Sequence, residues 1–287
     1  MAEGGAAEHG RVAVVTGASS GVGEALALRL AQGGWRLVLV NRSRAGSGRA
    51  LERLCREAPG APEPDLVEAD LADQEAVTRA AETILARHPR IDALFSNAGV
   101  MMPDLVMSRH GNETSFQVNT LAPYMLMRLL RPALEAAGGG ARIVNVSSEV
   151  VLGPFTLDVE GLRRPARYRG LMGAYAQSKL ALTALSANLA PDHSADGILL
   201  RSASPGAIDT KMTAGRGMPT LFRPFHRFFN SAERGAGRLV DAGFDPKFGA
   251  QAGVFIAGGR VRRPHPSTQD PHVQLRLLSL CAELTGL

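Results

Sequence analysis

Cysteine is nearly absent, with two residues in a chain of 287. Cys55 and Cys281 form no CxxC or CxxxC pair, which excludes a disulfide framework and a zinc knuckle and fits a reducing compartment. Lysine is as scarce: Lys179, Lys211 and Lys247 are three of 32 basic side chains, so the net charge of +5 is carried by arginine. The arginines are scattered from Arg11 to Arg276 with no basic tail or stripe, a compositional habit rather than a phosphate footprint, and no nucleic-acid partner is expected. Long apolar runs are missing too. The longest candidate, Leu121 to Leu134, is interrupted by Pro123, Arg128 and Arg131, so no transmembrane helix is expected. Residues 1–10 lack the charged and apolar regions of a secretory signal and read as a disordered tail; the chain reads as cytoplasmic. The seven histidines form no HxxH or HxxxH cluster, and no metal is expected.

What is present is alternation. Short apolar, β-branched runs at Val12–Thr16, Arg36–Val40, Asp65–Ala69, Ile91–Ser96, Arg142–Val146, Ile198–Ala203 and Val254–Ala257 read as strands. Between them, Glu24–Gln32, Ala45–Glu57, Gln74–Arg87, most of Gly111–Glu135, Ala174–Leu189, Ala232–Asp241 and Val273–Leu284 read as helices. Continuous rather than alternating apolar strands suit a sheet covered on both faces. The fold class is therefore α/β: one doubly wound parallel sheet with right-handed crossovers and helices on both faces, spanning residues 11–287 as a single domain.

The first strand runs into Thr16-Gly17-Ala18-Ser19-Ser20-Gly21-Val22-Gly23 and then a helix. Glycines allow a tight turn and close approach of the backbone to a pyrophosphate, and the helix N-terminus offers free N–H groups to its oxygens. The spacing is G-x-x-x-G-x-G. An acid at the end of the second strand would hydrogen-bond a ribose 2′-OH and repel a 2′-phosphate. Asn41-Arg42 stands there instead, and a guanidinium suits a phosphate, so NADP(H) is expected in preference to NAD(H).

Of the three tyrosines, only Tyr175 has a lysine four residues on, Lys179. Positions i and i+4 share a helix face, so phenol and ammonium can meet one ligand. A nearby cation is expected to lower the tyrosine pKa toward a useful range. Upstream, the strand Ile143–Val146 ends in Ser147-Ser148 at the carboxyl edge where ligands bind in such sheets. Adjacent residues point opposite ways, so one serine of the two faces the site.

These residues resemble the short-chain dehydrogenases/reductases, through Thr16-Gly17-x-x-x-Gly21-x-Gly23, Asp70-Leu71, Asn97-Ala98-Gly99-Val100, Asn119, Ser148, Tyr175-x-x-x-Lys179 and Pro205-Gly206 in the family's order. The resemblance implies a Rossmann fold and an oxidoreductase moving a hydride between nicotinamide and a carbonyl or secondary alcohol. It makes Tyr175 the general acid or base, Lys179 the ligand of the nicotinamide ribose, Ser148 the hydrogen-bond partner of the substrate oxygen and Asn119 the holder of a relay water. For the cofactor it implies Gly17, Ser19, Ser20, Gly21, Val22 and Gly23 at the pyrophosphate, Asn41 and Arg42 at the adenosine phosphate, and Asp70 and Leu71 at the adenine. Asn97, Ala98 and Gly99 would line the adenosine ribose side, and Pro205, Gly206, Ile208 and Thr210 the nicotinamide end. The long interval from Ser148 to Tyr175, Asn41-Arg42 and the terminal Leu278–Leu287 are most similar to the retinol dehydrogenase-like branch. Thr120 and Ser96 depart from it, standing where that branch carries histidine and asparagine.

Two segments are expected to shape the substrate pocket. Glu149–Met172 carries Arg163, Arg164, Arg167 and Arg169. Residues 211–230, where the family places a substrate lid, hold Phe222, Phe225, Phe228 and Phe229, enough for an apolar wall, for packing onto the core, or for shallow membrane contact, the last not expected. The expected partner is a small, apolar carbonyl or alcohol; the helices around Asn119 and Tyr175 often form dimer interfaces in the family, which makes a homodimer the candidate assembly. The rival reading is a catalytically silent NADP(H)-binding sensor or scaffold, which needs the glycine turn but not the four catalytic residues.

Overall fold

A computed structural model describes residues 10–208 and 230–287. Most of the expected tail, Thr210 and the expected lid up to residue 229 lie outside the described residues.

Strands β1 (Val12–Thr16), β2 (Arg36–Asn41), β3 (Asp65–Glu68), β4 (Ala93–Ser96), β5 (Arg142–Val146), β6 (Leu199–Ala203), β7 (Phe255–Ala257) and β8 (Arg260–Arg262) form one eight-stranded sheet. Its order is β3-β2-β1-β4-β5-β6-β7-β8. The first seven strands pair in parallel. The eighth runs antiparallel to β7, which corrects the expectation of a purely parallel sheet. Arg260-Val261-Arg262 is short and exposed, so it carries no apolar run, but Gly258 and Gly259 at φ 59° and 75° form the tight hairpin turn that reverses the chain.

Side-chain alternation explains why the strands read as continuous apolar runs. Val12, Val14, Val38 and Val40 enter one core, while Ala13, Val15, Leu37 and Leu39 enter the other. The second core is closed by α1 (Gly21–Gln32) and α2 (Gly48–Glu57) through Leu26, Leu30 and Leu54, and by the helix Ala232–Phe244 through Leu239. On the opposite face α3 (Gln74–Arg87) contributes Val77 and Ile84, while Ala122–Leu129, Ala176–Ala195 and Pro271–Thr285 contribute Leu126, Leu185 and Leu277. Burying each such side chain is worth about 1.5–3 kcal/mol, and having two cores leaves neither sheet face to water.

The helix expected from Gly111 starts later, at Thr114, where Glu113 caps it by accepting from the Phe116 N–H at 2.8 Å. Gly111, at φ 71°, turns the chain so that Met107 bridges Glu113. Arg201 on β6 is fully buried. Its guanidinium donates to the carbonyls of Gln251 at 2.7 Å and Ala242 at 2.9 Å, with Gly243, Phe248 and Gly249 completing the cage. The chain leaves β1 toward β3 on one side and returns through β4 on the other. The carboxyl ends of β1 and β4 therefore define the crevice where such sheets bind ligands.

Candidate active site

The glycine turn is built for close approach. Gly17 adopts φ 69°, and its N–H donates to the Val40 carbonyl at 2.9 Å, pinning the turn to β2. A Cβ on Gly23 would overlap the Gly17 carbonyl and the Asn97 amide, so α1 presses directly on the turn. Asn97 Nδ2 donates to Thr16 O at 2.9 Å and Gly17 O at 3.2 Å, and Thr16 Oγ1 accepts from the Ala98 N–H at 2.9 Å. Ser20 precedes α1 without a side-chain capping bond. The first N–H groups of the helix, which have no intrahelical acceptor, are left for an anion. Donor set and glycine cradle both fit a dinucleotide pyrophosphate.

At the β2 end, buried Asn41 donates from Nδ2 to Ser47 Oγ at 2.9 Å, and Ser47 Oγ donates to Ser43 O at 3.0 Å. This shapes the turn from which Arg42 and Arg49 both reach the cleft. Asp70 accepts from the Ala72 N–H at 2.9 Å, holding the following loop at the cleft's edge.

At the β5 end Ser147 is buried against the helix, bonded to Thr183 Oγ1 at 2.8 Å, and also lines the cleft. The Ser148 hydroxyl accepts from the Val150 N–H at 3.3 Å, capping the next turn, and it is near enough to the Tyr175 phenol to draw its pKa down. Tyr175 closes a π turn, Leu171–Tyr175, and leads the helix Ala176–Ala195. One helical turn on, Lys179 Nζ lies 5.9 Å from the tyrosine ring centroid and donates to Val146 O at 2.7 Å. Burial lowers the Lys179 pKa from 10.5 to about 8. The phenol does not follow the expected lowering. Burial pushes Tyr175 above its ordinary value, the Ser148 hydroxyl pulling weakly the other way. Desolvation of the phenolate sets the direction, and the neighbouring ammonium is directed at the Val146 carbonyl.

Asn119 lies in a second π turn, Gln117–Leu121. Its Oδ1 accepts from the Val100 N–H at 2.8 Å, and its Nδ2 donates to Val100 O at 2.9 Å and Ser178 Oγ at 3.0 Å. Ser178 Oγ in turn donates to Tyr175 O at 2.8 Å.

Comparison with known proteins agrees with this geometry. Residues 11–160 match the family model described as short chain dehydrogenase. A Streptomyces sp. (strain C5) protein assigned as a daunorubicin C-13 ketoreductase is 33% identical over 96% of this chain and 93% of its own length. The chain belongs to the short-chain dehydrogenase/reductase family. It is related to the retinol dehydrogenase branch: human retinol dehydrogenase 13 is 28% identical over 97% of this chain and 85% of its own length. Mouse polyprenol dehydrogenase is 32% identical, with 97% and 85% covered. Among solved structures, a Beutenbergia cavernae protein described as an NAD(P)-dependent gluconate 5-dehydrogenase, crystallised with NADP, superimposes with TM-score 0.66 at 27% identity, covering 86% of this chain and 94% of that one. Members of this oxidoreductase family use nicotinamide cofactors and act on small molecules.

Within that family frame, every described residue expected at the cofactor lines one cleft of about 800 Å³, from Gly17 to Ile208, with Tyr175 and Lys179 in its wall. Thr210 lies outside the described residues. Asn119 and Ser148 do not line it themselves: Asn119 is bonded to the Val100 main chain, and Ser148 lies beside the Tyr175 phenol. The sequence reading missed Arg49, Val118 and Ser147, which also line the cleft. Arg49 is the second residue of α2, whose start follows the turn that the Asn41–Ser47 bond braces. Among the described residues no group of three or more His, Cys, Asp or Glu is arranged to hold a metal ion, and no helix is long and apolar enough to cross a membrane.

Proposed function

We propose that the protein is an NADP(H)-dependent oxidoreductase acting on a carbonyl or secondary alcohol of an apolar small molecule. The observation that carries this reading is that Tyr175 and Lys179, one helical turn apart, line the same cleft as the glycine turn at the carboxyl end of β5, with Ser148 beside the phenol. When bound, the nicotinamide supplies or takes up the hydride at C4. The Ser148 and Tyr175 hydroxyls converge on the substrate oxygen. Ser148 polarises it, and Tyr175 gives it a proton in reduction or takes one in oxidation. A phenol held above its ordinary value is loaded as a proton donor at neutral pH. Lys179 orients the ribose with the protons not used on Val146. Both side-chain groups of Asn119 are already engaged, so a relay water would rest on its main chain.

Two arginines, Arg42 and Arg49, line the β2 end of the cleft, and both carry the bidentate donors a 2′-phosphate prefers. The apolar substrate class is supported by an exposed apolar group, Leu105, Val106, Met107 and Met172, and Tyr168 donates to Met102 O at 2.8 Å, tying the arginine-bearing insertion to the segment that carries three of the four.

The test is NADPH consumption over ketones and aldehydes of graded size and polarity, with Tyr175→Phe as the control. The variant is expected to bind NADPH normally and to lose turnover by about 10²–10⁴; near-wild-type turnover would remove Tyr175 from the chemistry. Arg42→Ala and Arg49→Ala should each lower the NADPH/NADH preference about tenfold.

A further inference from the structure

The loop after β6 is held by a residue outside the cleft. Pro205, Gly206 and Ile208 form its wall, and the chain there is unusual: Gly206 has φ 93°. The space a Cβ would take at Gly206 is filled by the Arg238 guanidinium, which donates from Nη1 to Pro205 O at 3.0 Å. Arg238 projects from the helix Ala232–Phe244, whose start is packed under the same loop. A Cβ at Gly235 would stand 3.0 Å from Ile208 Cδ1 and 3.2 Å from Pro205 Cβ. Two further bonds complete the fixing: Gly206 N–H to Ser204 Oγ at 3.0 Å and Asn230 N–H to Ala207 O at 2.8 Å.

Strand order says which part of the cofactor meets this loop. Arg42 and Arg49 follow β2, and the glycine turn follows β1. The Pro205 loop follows β6, four strands from β2 in the order β2-β1-β4-β5-β6. At a strand spacing of about 4.8 Å the two ends are about 19 Å apart, the span of an extended dinucleotide. The β6 loop therefore faces the end opposite the adenosine phosphate, beside Tyr175 and Lys179.

Resting on the cofactor reading above, we propose that Arg238 is a positioning residue for the nicotinamide end of the site. It fixes the Pro205–Ile208 loop without touching the cofactor, by occupying the volume over Gly206 and binding the Pro205 carbonyl. Glycine at 206 and arginine at 238 form one device. Any side chain at 206 displaces the guanidinium, and loss of the guanidinium frees the loop.

The experiment compares two ligands on the full chain by calorimetry: NADPH, and 2′,5′-ADP, which carries the adenosine phosphates and no nicotinamide. Arg238→Met is expected to weaken NADPH about tenfold, the scale of one charge-assisted hydrogen bond. It should lower kcat as well and leave 2′,5′-ADP within about twofold of wild type. Arg238→Lys, which restores one donor but not the planar group, should lie between. If Arg238→Met does not fold, Gly206→Ala is read in its place and should give the same NADPH-only loss. Equal weakening of both ligands, or no weakening of either, overturns the proposal. A wild-type protein that binds neither ligand overturns the cofactor reading itself, and wild-type binding of 2′,5′-ADP without any gain for NADPH overturns only the nicotinamide-end assignment.

Discussion

Among the described residues two cations lie buried and neither has a carboxylate partner: Lys179, 4% exposed, and Arg201, 1% exposed. Their surroundings differ in one respect. Arg201 sits in a cage of five carbonyls, two of them from the last residues of the helix Ala232–Phe244, where the helix dipole favours positive charge. Lys179 meets a single carbonyl, that of Val146, and lines the cleft with protons to spare. Burial lowers both pKa values from their ordinary range. A buried cation with every donor satisfied joins parts of the fold; one left short of acceptors is kept for a ligand.

Substitution by methionine should separate the two most sharply. Lys179→Met is expected to reduce kcat/KM about a thousandfold while the melting temperature stays level or rises, since replacing a poorly solvated buried charge by an apolar chain of similar size is neutral or stabilising. Arg201→Met should do the reverse. It strands several buried carbonyls at about 3–5 kcal/mol in total, read by urea unfolding, with kcat per folded molecule unchanged. Equal losses of stability in the two variants would erase the distinction.

A pH series sharpens it further. Folded Lys179 releases its proton near pH 8, while the unfolded chain holds it to about 10.5. The unfolded state thus binds more protons in that window, and stability rises with pH across it by up to about 3 kcal/mol. The stability gap between wild type and Lys179→Met should close between pH 8 and 10; a gap independent of pH would mean that Lys179 is solvated. Above pH 10 the sign reverses for Tyr175, whose raised folded value makes its contribution fade as the unfolded phenol ionises.

The site was legible where its chemistry is local. The glycine turn is one strand and one helix long, and Tyr175 and Lys179 are one helical turn apart. Residues that act through distant partners carried no such mark. Arg49 is one of many arginines until the fold places it along the cleft. Arg201 carries no mark within its strand until residues 242–251 wrap it, and Arg238 means nothing without Gly206. The shift at Tyr175 was misjudged for the same reason. A lysine four residues away is visible in sequence, but the desolvation that sets the direction depends on every element packed around the phenol. The strand β8 was missed because three exposed residues bury too little to leave an apolar signature, although the paired glycines before it marked the turn.

The Asn119 carboxamide carries a consequence of another kind. Its three bonds join the Val100 segment, which supports the cleft floor, to Ser178 in the helix that bears Tyr175. With Thr120 Oγ1 also donating to Ser178 O at 2.8 Å, the cleft floor and the helix that carries the proton donor are joined by directed bonds, and the spacing from hydride to proton is set by polar geometry as well as by packing.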